Sequence, residues 1–150
     1  MHSMSRRSLL LLATSMIVFP LSASAAAPMR VTLYKNPQCP CCEGHAAYLN
    51  TNGFAVQIVQ TDDLLAKFRQ AQVPSQLEGC HLIEMDGYVV IGHVPMAAIH
   101  KLITERPKII GISIPAMPVG LPGMEGPRTA PIAVYEIIAG AGRSHVFMMV

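Results

Sequence analysis

The 150-residue sequence has no apolar run suited to a permanent membrane anchor. The stretch from Leu9 to Leu21 falls short of the roughly 20 residues a spanning helix needs. No cysteine follows it, which argues against a retained lipid anchor. Arg6-Arg7 precede the run and Ala23-Ser24-Ala25 follow it, the pattern of a signal peptide over residues 1–25 with cleavage after the small residues. Ser5-Arg6-Arg7-Ser8-Leu9-Leu10 also resembles a twin-arginine signal. Net charge is small as well: the formal +2 falls to zero if residues 1–25 are lost, because Arg6 and Arg7 go with them and nine basic residues then face nine acidic ones. No basic patch remains, so neither nucleic acid nor an anionic membrane is expected as a partner. There is no internal repeat, and residues 26–150 are enough for one domain with its own core.

What is present is sulfur. Three of the four cysteines, Cys39, Cys41 and Cys42, fall within four residues of Asn36-Pro37-Gln38-Cys39-Pro40-Cys41-Cys42-Glu43. The apolar run Val31-Thr32-Leu33-Tyr34 before them reads as a strand, and Gly44 to Asn50 after them as a helix. Unpaired amides and the dipole at a helix N-terminus favour thiolate over thiol, and thiolates in that state exchange disulfides or hold soft metals such as Cu(I) and Zn(II).

The chain around this motif reads as α/β. The first helix should stop at Asn52-Gly53, and Phe54 to Val59 reads as a strand, completing a βαβ unit with parallel strands. Thr61 is the expected N-cap of a second helix that ends at Val73-Pro74. Cys80 to Met85 and Tyr88 to Ile91 flank Asp86-Gly87, a strong hairpin signal, and Pro95 opens a third helix from Met96 to Arg106. This order matches the thioredoxin and glutaredoxin class. Ile109 to Ile114 is short and apolar. Residues 115–127 hold four prolines and three glycines, which excludes helix or central strand and predicts an ordered surface loop. Tyr135 to Ile138 and His145 to Met149, joined across Gly140-Ala141-Gly142, read as a closing hairpin.

Cys39 and Cys42 have the CxxC spacing of a redox-active disulfide, which predicts a thiol-disulfide oxidoreductase with Cys39 attacking and Cys42 resolving. Cys41 disturbs that reading, because a third thiol beside the pair can scramble the disulfide, whereas a soft-metal site gains from it. Cys80, opening the third strand beside the first, is placed to approach the trio. A disulfide from Cys80 to one of the three is the structural alternative in an exported chain. His81 is adjacent to Cys80, but alternation along a strand sends the two side chains to opposite faces. His45, four residues after Cys41 and three after Cys42, shares their helical face and is a candidate ligand. His93 lies between strand and helix and reads as structural; His100 and His145 have no evident partner. Of seven methionines after residue 25, Met117 and Met124 lie in the Pro/Gly loop, where no packing period explains them. Thioether sulfur binds Cu(I) well and zinc poorly, so they favour copper over the alternative, zinc.

Tyr34 to Cys42, Cys80-His81, Asp86-Gly87-Tyr88-Val89, Gly92-His93-Val94-Pro95 and Met117 to Pro127 together resemble the domain-of-unknown-function family 411, whose better-studied members are periplasmic copper proteins of copper-resistance gene clusters. The resemblance covers nearly all of residues 26–150. It implies a thioredoxin-like fold, periplasmic location, copper binding through Cys39, Cys41, Cys42 and Cys80 with Met124 and either His45 or His81, and a role in copper tolerance that interconverts Cu(I) and Cu(II). Partners would be copper ions, more than one per site, and other periplasmic copper-handling proteins. Three positions depart from the family pattern: relatives often carry an aromatic where His45 stands, a histidine where Tyr48 stands, and a glycine where Ala116 precedes the loop's first Met-Pro.

Overall fold

The computed structural model describes residues 27–140 and 145–150; the expected signal peptide lies outside them. Among the described residues, seven strands form one sheet in the order β2-β1-β3-β4-β5-β6-β7, with three α-helices. The chain runs β1 (Met29–Lys35), α1 (Pro40–Thr51), β2 (Phe54–Gln60), α2 (Leu64–Gln70), β3 (His81–Met85), β4 (Tyr88–Ile91), α3 (Met96–Glu105), β5 (Gly111–Ser113), β6 (Ala133–Ile137) and β7 (His145–Met149). β1 and β2 are parallel, and β3 lies antiparallel on the other side of β1, which makes β1 central to this half of the sheet. None of the described helices is long and apolar enough to cross a membrane.

Alternation along the strands divides the core. Val31, Leu33, Ile83, Met85 and Val90 pack on one face with Cys42, Ala46 and Leu49 of α1 and Ile99 and Leu102 of α3. Leu82, Val89 and Ile91 face the other way and pack with Phe68 of α2 and Ile137. β4, apolar on both faces, is buried throughout, as a strand covered on both sides should be. His81 has the parity of Ile83 and Met85, so its ring enters the α1 side.

Several local expectations shift. α1 begins at Pro40 rather than Gly44, because proline's fixed φ suits the first helical position, so Cys41 and Cys42 lie in its first turn. Asp63, not Thr61, caps α2: Asp63 Oδ1 accepts from Ala66 N at 2.9 Å, while Thr61 Oγ1 accepts from Asp63 N. Ile109 to Ile114 contributes β5, parallel to β4 and antiparallel to β6, so the C-terminal hairpin extends the main sheet. Part of that hairpin's turn, residues 141–144, lies outside the described residues.

Candidate metal centre

The cysteine turn is built from its backbone outward. Asn36 Oδ1 accepts from Gln38 N at 3.0 Å and Asn36 O from Cys39 N at 3.2 Å, folding the chain back after β1. Lys35 is fully buried, and its ammonium donates to Glu43 Oε1 at 3.0 Å and Pro37 O at 3.3 Å. A buried cation needs such partners, and here they tie the end of β1 to the first turn of α1. Cys39 occupies the N-cap position without a side-chain cap bond.

Cys39 and Cys42 form a disulfide, and Cys41 and Cys80 are free. The alternative in which Cys80 is bridged to the trio is not what is found. Cys80 nonetheless joins them: the Sγ atoms of Cys39, Cys41, Cys42 and Cys80 all lie within 4.8 Å of one another. Cys41 Sγ is 3.4 Å from Cys39 Sγ. The Cys80 thiol is pushed up to about 12, by burial first and then by the neighbouring Cys41.

Cys80 sits in a bend just before β3, so strand alternation does not govern it. Its Sγ lies 3.2 Å from His81 Nδ1, on the same side rather than the opposite one expected, and 3.4 Å from His93 Nε2. His81 Nε2 is 2.8 Å from His45 Nδ1, and His45 Nε2 donates to Val94 O at 3.1 Å. His93 Nδ1 donates to Pro122 O at 2.7 Å. Ring centroids of His45, His81 and His93 stand 5.0–5.2 Å apart, a triangle of buried imidazoles. Burial is the main force lowering all three, and neighbouring histidines add to it for His45 and His81. His45 falls to about 4. All three are therefore neutral at pH 7.

Both ring nitrogens of His45 are occupied by His81 and Val94, so it backs the site instead of facing the sulfurs. His93, read from the sequence as structural, forms with Cys80 and His81 a second group whose donor atoms lie within 4.8 Å of one another. Its one sequence signal was the motif Gly92-His93-Val94-Pro95 beside a hairpin.

The Pro/Gly loop folds onto this corner. Gly123 has φ +79°, and a Cβ there would lie 2.5 Å from His45 N; one on Gly44 would lie 3.0 Å from Gly123 Cα. Two glycines face to face thus let the loop backbone touch α1. Leu121 is buried in the core, and half-buried Met124 packs against the same cluster. Met124 and Cys41 line one cleft of about 510 Å³, and Met117 and Cys80 line another of about 320 Å³. Sulfur from the loop therefore flanks the thiols on two sides.

Residues 77–124 match the family described as "Protein of unknown function, DUF411". That segment spans Cys80, all of β3, β4 and α3, and the loop as far as Met124. Two solved structures, titled "Copper resistance protein copG" Form 1 and Form 2, are each 35% identical, with a TM-score of 0.74, covering 82% of this chain and 98% of theirs. No curated protein matches.

Proposed function

Because the chain belongs to the DUF411 family, alongside the copper resistance protein CopG, we propose that it is a periplasmic copper-binding protein of copper tolerance, a thioredoxin-like domain over residues 26–150 that holds Cu(I) in a cysteine pocket. A copper-related role is supported by those neighbours and by the clustered cysteines. The observation that carries the reading is the convergence of Cys80 with Cys39, Cys41 and Cys42, across about forty residues of chain, to within 4.8 Å. Sulfur donors so close suit a soft monovalent ion, and thiolates that bridge allow the pocket to hold more than one. Met124, beside Cys41 in one cleft, adds a thioether, a donor that favours Cu(I) over Zn(II). Of the two histidines, His81 fits the ligand role better, since His45 has no free nitrogen.

The disulfide links copper valence to thiol state. With Cys39 and Cys42 joined, only Cys41 and Cys80 remain as thiols. Reducing the bond with two electrons frees two more thiolates for Cu(I). In the reverse direction, two thiolates closing to the disulfide release two electrons, enough to convert two Cu(II) to two Cu(I). Copper would be the cargo and the oxidant together, and periplasmic copper-handling proteins the recipients.

The test is anaerobic Cu(I) titration of the reduced protein against a competing chelator. Tight binding should weaken at least a hundredfold in Cys41→Ser. The rival is a thiol-disulfide oxidoreductase using Cys39 and Cys42, which the observed pairing favours. It would be preferred if Cys41→Ser kept full disulfide reductase activity and the parent bound no Cu(I) tightly.

A further inference from the structure

Exposed apolar side chains gathered around a reactive group mark a place where another molecule binds. Among the described residues, Met117 and Val119 are 55% and 53% exposed, both in the Pro/Gly loop and each beside a free thiol. Met117 lines the cleft of Cys80 with Gly79 and Ala116, and Val119 lines the cleft of Cys41 with Pro40 and Met124. The other large apolar side chains exposed to this degree, Ile58, Leu65, Val146 and Met149, stand on β2, α2 and β7 and border neither cleft. The loop is already held in place: Leu121 is buried, Met124 N donates to Leu121 O at 2.9 Å, and Gly123 rests on α1. A preformed surface loses little entropy on association. Charge here is one-sided. Glu125 lines the Cys41 cleft and Glu78 the Cys80 cleft, and neither is lined by a basic side chain; Arg128 enters only in the next groove, beyond Val119.

We propose that the Met117–Val119 ridge and its two clefts are a docking surface for an extended segment of a partner protein, apolar in the middle and flanked by lysine or arginine. Side chains alternate in direction along an extended chain, so two apolar ones set two positions apart enter neighbouring clefts while the backbone crosses the ridge. Each then covers an exposed side chain of the loop and meets the thiol that lines its cleft. The flanking cations stand opposite Glu78 and Glu125, an arrangement that selects the partner and speeds encounter more than it adds affinity. Methionine at the rim is unbranched and pliable, which lets the surface follow the side chain it receives. The inference rests on the copper reading only for what the docked segment does, which is to bring a recipient's donor atoms to Cys41 and Cys80 without passage through water. The surface itself consists of loop side chains and carboxylates.

The experiment uses metal-free protein with its Cys39–Cys42 disulfide intact, so that its failure and a failure of Cu(I) binding are read separately. The probes are two capped peptides with the same leucine-methionine-leucine core, one carrying two lysines at each end and the other two glutamates. In nitrogen-15 NMR titrations the lysine peptide should shift the amides of Met117, Val119, Gly123 and Glu125. It should bind about tenfold more tightly than the glutamate peptide at low salt, and the gap should close to about twofold at roughly 0.5 M salt. Met117→Ser and Val119→Ser should each weaken it about fivefold, whereas Leu65→Ser, which removes an equally exposed side chain on α2, should leave it unchanged. Glu78→Gln combined with Glu125→Gln should bring the two peptides within about twofold of each other. Unmoved loop amides, equal affinity for the two peptides, unchanged binding in both serine variants of the loop, or a loss in Leu65→Ser equal to that in Val119→Ser would each overturn the proposal. So would concentration-dependent dimerisation abolished by Val119→Ser, which would make a second copy of the chain the occupant.

Discussion

Cys39, Cys41 and Cys42 reach the pocket from a single helical turn, whereas His81 comes from a strand, His93 from the β4–α3 connection and Met124 from a distant loop. The cysteine trio needs only an Asn-Pro turn and a proline-started helix to exist, and Cys80 and Met124 join it through the tertiary fold. The nitrogen side needs the sheet register, the burial of three imidazoles and a loop seated on α1. Local geometry builds a reactive motif cheaply, while burial builds a specific one whose protonation is set in advance by carbonyls outside it.

The largest effect should come from Gly123→Ala, which lifts from α1 the loop that carries both Pro122, behind His93, and Met124, beside Cys41. A Cβ at φ +79° and 2.5 Å from His45 N combines backbone strain with a clash against a helix that cannot yield. About 2–4 kcal/mol of stability should be lost, read from urea unfolding. The Cys39–Cys42 disulfide should still form by thiol counting; if it does not, the two sides are not separable.

Acid should come next. His45, with neighbours His81, His93 and Tyr48, titrates near 4 in the fold and near 6.5 unfolded. Below pH 6.5 the unfolded chain binds more protons than the fold, so stability is full above that pH and falls as pH drops toward 4. Lowering pH from 7 to 4.5 should cost the metal-free protein roughly 2–3 kcal/mol from this group alone, with His81 acting in the same direction. A flat urea midpoint over that range would contradict the neutral triangle.

The smallest effect sharpens the sulfur side. Met124→Leu keeps the volume and removes the thioether, so stability should change by less than about 1.5 kcal/mol. Cu(I) affinity in the chelator competition should fall severalfold. An unchanged affinity would remove Met124 from the copper shell.

Much of this was readable along the chain. The βαβ unit, the Asp86-Gly87 hairpin and the third helix follow from short-range periodicity and turn chemistry, and β1, β2, β3, β4 and α3 stand close to where those signals put them. The site was less legible away from the cysteines. His45 shared a helical face with Cys42, yet its ring is held by His81 and Val94, partners with no sequence proximity to it. His93 looked like a linker residue because nothing nearby shows that Pro122, twenty-nine positions later, lies behind it.

By itself the amino-acid order determined the trio of thiols, the strand and helix that carry them, and the softness of the chemistry, since these depend on residues a few positions apart. The expected β order also brought Cys80 toward the trio, as found, but only the tertiary structure decided that His81 and His93 each turn a ring nitrogen toward Cys80 and that Gly123 seats the methionine loop on α1. The reason is physical: proximity across forty residues arises from sheet register and side-chain burial, which no short-range pattern encodes.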